Sequence, residues 1–385
     1  MKRVRRLNRW WYGGAVMVAM AWAVPAYPQQ ADRASALSLE QQGHNADAEQ
    51  EWQGVLRGDP HNAEALAHLG LLEARQEHYD AAAEYDRRAL KTNPALPGIQ
   101  LNLGLALFKA GKFSQAIPSF VAELQHHPGD QRLTILLGMC HYGMGDYLVA
   151  APYLEKAAAN DPQNLELRLT LAHSCLWSKQ YECVTEVSKQ ILALNPESAE
   201  ADMLTGEALD AQGNDVGAIE QFRAAVQADP KQPEVHFGLG YLLWKKSEFA
   251  DAATQFAAEA ANDPGQAQAW AYLGNSYLQI TQYDKAEAAL VQATALTPPL
   301  AMAHRDLGVL YARTGRNEAA VKELTKAIAM DSKDPATHFQ LARAYHALGR
   351  GDEAKTEFAI ASKMNQQENQ DLTDKISGAQ GPAKP

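Results

Sequence analysis

Basic charge is in short supply in this chain. Lys and Arg number 35 against 46 Asp and Glu, leaving a formal net charge of −11. Binding a phosphate backbone needs a basic stripe that displaces counterions, so the balance argues against nucleic acid as a partner. Cysteine is scarcer still, with only Cys140, Cys175 and Cys183. No C-x-x-C pair occurs, which removes cysteine-rich zinc sites and c-type haem attachment. Catalytic signatures are missing as well: no G-x-S-x-G, H-E-x-x-H or G-x-G-x-x-G stands in the context it needs. The glycine-rich stretch Gly138 to Gly145 has no Lys-Ser/Thr after it and is not a phosphate loop. His141 beside Cys140, and His173 near Cys175, lack a positioned third group for nucleophilic chemistry. His126-His127 precedes Pro128 and reads as a solvated helix end. The sequence therefore nominates no catalytic, cofactor-binding or metal-ligating residue, and the chain reads as a non-enzyme.

Long apolar runs are lacking too. Trp10 to Val24 spans 15 residues, short of the roughly 20 that a membrane helix needs. Before it stand Lys2, Arg3, Arg5, Arg6 and Arg9, and after it Val24-Pro25-Ala26. A basic start, a short apolar stretch and small residues form the pattern of a secretory signal peptide. The expectation is residues 1–26 as a leader cleaved after Ala26, and export to the periplasm or cell envelope. The alternative is an uncleaved anchor, in which case the membrane is met only through this N-terminal segment. An exported chain meets oxidising conditions, which allows one disulfide and one free thiol. The simpler reading takes all three cysteines as small buried hydrophobes.

What the sequence does have is a period. Pro60, Pro94, Pro128, Pro162, Pro196, Pro230, Pro264 and Pro298 fall 34 residues apart. Gly70, Gly104, Gly138, Gly206, Gly240, Gly274 and Gly308 keep the same spacing, with Ala172 in the gap. An alanine series runs from Ala48 to Ala354, interrupted only by Val184. Between successive prolines lie two segments with apolar residues at helical spacing, such as Ile219, Phe222, Ala225 and Val226. Gly111, Gly145, Gly213 and Gly315 mark a turn midway. The proline ends the second segment, because it lacks a donor and holds its predecessor extended. The recurrent glycine lets the two helices approach closely. Each unit is then a helical hairpin that cannot bury its apolar side alone, and stacking supplies the missing burial.

Trp270-x₂-Leu273-Gly274-x₂-Tyr277, followed by Ala286 and Pro298, resembles the tetratricopeptide repeat, whose period is also 34. The resemblance covers residues 29–368 and implies an all-α, right-handed superhelical solenoid of about ten antiparallel helix hairpins. Units start near Gln29, Ala63, Pro97, Gln131, Leu165, Ala199, Pro233, Ala267, Ala301 and Pro335. Residues 369–385 read as a polar, disordered tail. The fifth unit departs most from the signature, with Ala172, Lys179, Val184 and Ser188 at its key places, and it holds two of the three cysteines.

In this family the first helix of each hairpin lines a concave groove. The resemblance implies that the second, fifth, ninth, twelfth and thirteenth places of each unit face it. In the middle units those places hold an aromatic-rich stripe including Phe108, Tyr142, Trp177, Phe237, Tyr241 and Trp244. Glu200, Glu207, Asp210 and Glu234 form an acidic band, while Arg305, Arg313 and Arg343 form a basic patch. Exposed apolar stripes mark interaction surfaces, and aromatic anchors dominate binding energies. The alternative for the stripe is packing between adjacent first helices, and for the arginines plain solvation. A groove with such sectors suits a protein or peptide partner, extended or helical. Ala67, Leu71, Leu101 and Leu105 stand where chaperone-binding members carry a carboxylate clamp, so that clamp is not supported. The expected function is an exported scaffold or adaptor that binds polypeptides, with envelope assembly as the analogy. Its rivals are a holdase-type chaperone and an accessory subunit of an envelope enzyme complex.

Overall fold

The computed structural model describes residues 32–377. The expected leader, residues 1–26, and residues 378–385 lie outside the described residues. Among the described residues there is no β-strand, and no helix is long and apolar enough to cross a membrane. The chain divides into two compact units at Pro128/Gly129.

The first unit contains three helical hairpins: α1 (Arg33–Gln41) with α2 (Asn45–Gly58), α3 (Ala63–Arg75) with α4 (Tyr79–Thr92), and α5 (Ile99–Lys109) with α6 (Phe113–His126). The second holds seven. These are α7 (Gln131–Gly143) with α8 (Tyr147–Asn160), α9 (Leu165–Trp177) with α10 (Tyr181–Leu194), and α11 (Ala199–Ala211) with α12 (Asp215–Ala228). They continue as α13 (Val235–Lys245) with α14 (Phe249–Asn262), α15 (Ala267–Gln279) with α16 (Tyr283–Ala295), α17 (Ala301–Arg313) with α18 (Asn317–Met330), and α19 (Pro335–Ala347) with α20 (Gly351–Ser377). The fold is the all-α solenoid of ten antiparallel hairpins that the period implies. Helix α20 runs to Ser377, so residues 369–377 are helical where the sequence suggests a tail.

Local chemistry explains the boundaries. The residue before a repeated proline closes the second helix at Asp59, Asn93, Asn195, Asp229 and Asp263, the first four in extended geometry. In each of these the side-chain oxygen accepts from the backbone N–H two residues on, an Asx turn that brackets the proline. First helices are then capped by the side chains of Asn62, Asp130, Asn164, Ser198 and Asp334. Helices α5 and α13 begin two residues later than the period suggests, because Gly98 and Glu234, each following a proline, adopt left-handed geometry.

The turn inside every hairpin is one residue in left-handed conformation, again at 34-residue spacing. Six are glycines, including Gly111 and Gly145; the other four are Glu77, Lys179, Ser247 and Thr281. The glycine series inside the first helices has a different role. Each faces the residue 16 positions later, in the second helix of its own hairpin. A Cβ at Gly104 would lie 2.5 Å from Phe120, at Gly206 2.7 Å from Phe222, and at Gly274 2.5 Å from Leu290. That second-helix column reads Trp52, Asp86, Phe120, Leu154, Ser188, Phe222, Phe256, Leu290, Leu324 and Phe358, and it forms the centre of the core.

The fifth hairpin is tied covalently. Cys175 of α9 and Cys183 of α10 form a disulfide across the Lys179 turn, with Cα atoms 5.8 Å apart. The reading of all three cysteines as simple buried hydrophobes therefore holds for Cys140 alone. Burial pushes the Cys140 thiol up to about 11, which keeps it protonated and unreactive at neutral pH.

Candidate functional site

First-helix residues at the expected groove places line cavities between successive hairpins. In the second unit, Tyr142 of α7 and Trp177 of α9 come together. Their rings lie 5.8 Å apart, with Tyr147 at 4.7 Å and His173 at 5.1 Å from the indole. Trp177 stays 48% exposed, unusual for an indole so surrounded by rings. His173 Nε2 meets Glu200 Oε1 at 2.9 Å, which holds the imidazole against the indole.

Between α11 and α13 lies a cavity of about 160 Å³, lined by Met203, Glu207, Asp210, Glu234, Phe237 and Tyr241, among others. Its floor is Phe222, which reaches under Gly238; a Cβ there would sit 2.2 Å from the ring. Asp210 is already met by Lys245 Nζ at 2.7 Å. Glu207 has no such partner. Enclosure by protein atoms pushes its carboxyl upward, with His173 opposing the shift and Glu234 adding to it. Glu234 and Phe237 owe their positions to the buried Glu259 carboxylate, which accepts from both backbone N–H groups at the start of α13. Phe237, Tyr241 and Trp244 all pack on Tyr272 of α15, at 5.7, 5.8 and 5.3 Å. Tyr272 was not singled out in the sequence, although it follows Gly238 by one period.

The aromatic residues differ in availability. Tyr241 is 38% exposed and borders the cavity. Trp244 is half-buried, and its Nε1–H donates to Asn275 Oδ1 at 2.8 Å. Asn275 in turn donates to Asp306 Oδ2 at 2.7 Å, and Arg305 Nε donates to Asp306 Oδ1 at 2.9 Å. Trp244 and Arg305 are thus ends of one internal polar chain rather than free groove residues. Burial raises the Asp306 carboxyl, and Arg305 partly offsets that. Arg305 also reaches Asp334 at 3.4 Å, so its charge is spent inside the fold.

The basic patch reduces to Arg313 and Arg343. Both are exposed and border a cavity of about 170 Å³ with Val309, Asn317 and Gln340. Arg313 donates to the Leu278 carbonyl at 3.3 Å. In the first unit, Phe108 is half-buried against Phe113 and Phe120, at 5.4 and 6.5 Å. Trp52 is sealed at 0% exposure and stacks on His68 at 4.5 Å, as a structural residue should.

One residue escaped the sequence reading. Asp86 sits in the core column where every other hairpin but the fifth, which has Ser188, places Trp, Phe or Leu. It is 1% exposed, its Oδ1 has no hydrogen-bond partner, and burial drives its pKa to about 7. It lines a cavity of about 110 Å³ with Gly70, Leu71, Ala74, Tyr79, Asn102, Leu105, Ala106 and Lys109. Reading the sequence down the 34-residue column would have exposed it.

No three His, Cys, Asp or Glu side chains among the described residues gather as a metal site. The described helices offer faces and cavities that can grip.

Comparison with known proteins gives a consistent picture. A tetratricopeptide-repeat family model matches residues 33–97 and 101–164. A second family model, the C-terminal domain of cilia and flagella-associated protein 70, matches residues 180–374. Among curated proteins, the BBSome complex member BBS4 of Bos taurus is 26% identical over 193 residues, covering 49% of this chain and 36% of that protein. The chain thus matches about a third of the length of that relative. Among solved structures, MamA is 25% identical, over 43% of this chain and 96% of that one, with a TM-score of 0.40. The APC/C hetero-tetramer Cut9-Hcn1 is 18% identical, over 78% of this chain and 59% of that one, with a TM-score of 0.45.

Proposed function

We propose that this chain, which belongs to the tetratricopeptide-repeat family, is an exported, non-catalytic scaffold that takes up other polypeptides on the faces of its first helices. Interaction scaffolding is the role typical of the family; export, the envelope setting and the binding face are the finer parts of the reading. The observation that carries it is Trp177, an indole held by three neighbouring rings yet half open to solvent. A preorganised, exposed aromatic costs little side-chain entropy on binding and makes an efficient anchor.

Two features support export. Residues 1–26 carry the leader pattern. The Cys175–Cys183 bond suits an oxidising compartment, since reducing cytosol keeps such thiols apart. Within the envelope, the reading is a scaffold for assembling multi-protein machinery.

The test immobilises the chain from residue 27 onward and presents envelope extract to the parent and to Trp177→Ala. Circular dichroism confirms equal helix content. Loss of specific retained proteins in the variant supports the reading. Identical retention sinks the assignment of this face, and retention of many unrelated unfolded clients would mark a holdase instead. Intact-mass measurement of the chain from its own cells should show an N-terminus just after Ala26.

A further inference from the structure

We propose that the cavity between α3, α4 and α5 is a specificity pocket for the cationic side chain, lysine or arginine, of a bound polypeptide, with Asp86 as the counter-ion at its floor. The proposal rests on the reading that first-helix faces bind polypeptides, and adds the chemistry of one anchor.

The argument begins with a mismatch in the repeat. Glycines in the first helices make room for a large residue 16 positions later, as Gly104 does for Phe120. The second hairpin keeps the glycine, Gly70, but puts Asp86 where the ring belongs. An aspartate is far smaller than a phenylalanine, and the shortfall appears as the 110 Å³ cavity. The fifth hairpin differs at both places: Ser188 stands in the column and Ala172 replaces the glycine, and both are buried.

Buried ionisable substitutions in the later hairpins are satisfied internally, whereas the uncharged Ser188 and Ser276 hydroxyls are, like Asp86 Oδ1, buried without a partner. His304 meets Glu323 at 2.7 Å and His338 meets Glu357 at 2.6 Å. Asp86 Oδ1 meets nothing, and it points at Gly70, 2.5 Å from where a Cβ would be. A buried, unpaired carboxylate is costly unless something compensates it. The compensation absent from the fold is a donor carrying positive charge, which burial alone leaves the group prepared to accept: its pKa of about 7 reflects desolvation and no neighbouring cation. The other titratable liners are Tyr79 and Lys109, and neither is within ion-pair or hydrogen-bond distance of Asp86 among the described residues.

The surroundings select the rest of the ligand. Walls of Leu71, Ala74, Leu105 and Ala106 suit an aliphatic stem. Leu71, Ala74 and Leu105 occupy expected groove places, so the mouth opens on the face where a polypeptide backbone would lie. The size admits one side-chain tip and no larger molecule. Asn102 at the wall can orient a guanidinium or ammonium group.

The experiment measures anisotropy of a labelled peptide, acetyl-Ala-Leu-Ala-Arg-Ala-Leu-amide, with the purified chain at pH 8, against the same peptide carrying citrulline, the neutral isostere. The parent chain should prefer arginine by about tenfold or more, the scale of a buried charge-assisted contact. Asp86→Asn should erase the preference, and Asp86→Phe should abolish binding of both peptides by filling the hole. Lys109→Ala, which removes the one cation at the mouth, should keep or strengthen the preference. Equal binding of the two peptides by both the parent and Lys109→Ala overturns the proposal, as does an arginine preference that survives Asp86→Asn. Butylguanidinium binding as tightly as the peptide would overturn the polypeptide source and assign the pocket to a free alkyl cation. Failure here would leave the Trp177 test in the other unit untouched, so the two readings fall separately.

Discussion

Asp86 also allows a quantitative test of the fold that needs no partner. Its folded-state pKa of about 7 exceeds the ordinary 3.8 through burial alone. The folded chain therefore holds a proton that the unfolded chain has released between those two values. Stability from this group is fully present below about pH 4 and is lost as pH rises to about 7, with no further change above. The whole gap corresponds to about 4 kcal/mol, and the part between pH 5.5 and 8 to about 2 kcal/mol. Amide hydrogen exchange at α3, α4 and α5 reads this locally, which matters because a repeat array need not unfold as one unit. The parent should exchange faster at pH 8 than its stability at pH 5.5 predicts once intrinsic rates are removed. Asp86→Asn should flatten this profile. Asp86→Phe restores the column residue used by the next hairpin, and at pH 8 it removes the desolvated charge and fills the hole. Burying the ring adds about 2 kcal/mol to the gain. Superimposable profiles for the parent and Asp86→Asn, or a destabilised Asp86→Phe, would refute the idea of an uncompensated acid in a vacant ring site.

Four further outcomes follow from the geometry. Ser247→Gly and Thr281→Gly should each raise stability by about 1 kcal/mol in thermal melts, because they relieve left-handed backbone at hairpin turns. Gly274→Ala should cost about 1–3 kcal/mol through overpacking, since its Cβ would fall 2.5 Å from Leu290. Reducing Cys175–Cys183 should weaken the fifth hairpin by about 2–3 kcal/mol by the loop-entropy relation, visible as faster exchange in α9 and α10, while Cys140 stays unalkylated in the native chain. Trp244→Ala should destabilise by about 2–4 kcal/mol because it strips the donor from Asn275, whereas Trp177→Ala should change stability by less than about 1 kcal/mol.

Much of the architecture was legible because it is written several times. From the second unit on, the proline, glycine and alanine series located first-helix starts to within two residues, and the two displaced ones, α5 and α13, are those where a left-handed residue follows a proline; α1 begins at Arg33, four residues after the expected start at Gln29. The turns were partly legible: the sequence reading marked Gly111, Gly145, Gly213 and Gly315, Gly43 and Gly349 hold the same place unremarked, and Glu77, Lys179, Ser247 and Thr281 adopt the same conformation without a compositional signal. Trp177 and Trp244 both lie on first helices at expected groove places, yet place alone does not distinguish them. One is left open by its neighbours, and the other is drawn inward by Asn275, which lies 31 residues away on the next first helix and has no motif to announce it. The same applies to Arg305. The sequence shows no acid at its groove neighbours, but the acids that neutralise it, Asp306 and Asp334, come from places that do not face the groove.

A repeat protein can be read in two directions, and each reveals a different kind of residue. Along the chain, periodicity reports what every hairpin must do to fold. Down a column, a departure from the consensus reports what one hairpin does alone, and its meaning depends on whether the structure repairs it. His304 and His338 depart from the signature tryptophan and are repaired by Glu323 and Glu357. In the fifth hairpin, Ser188 also departs and its buried hydroxyl has no partner, but it carries no charge, Ala172 replaces the glycine, and a disulfide ties the same two helices together. The Asp86 carboxyl departs and is not paired within the fold, and beside it lies the cavity that Leu71, Ala74 and Leu105 of the first helices also line. Unrepaired departures of this kind are where a scaffold built from near-identical parts acquires specificity, because only there does the fold leave a requirement that a second molecule can satisfy.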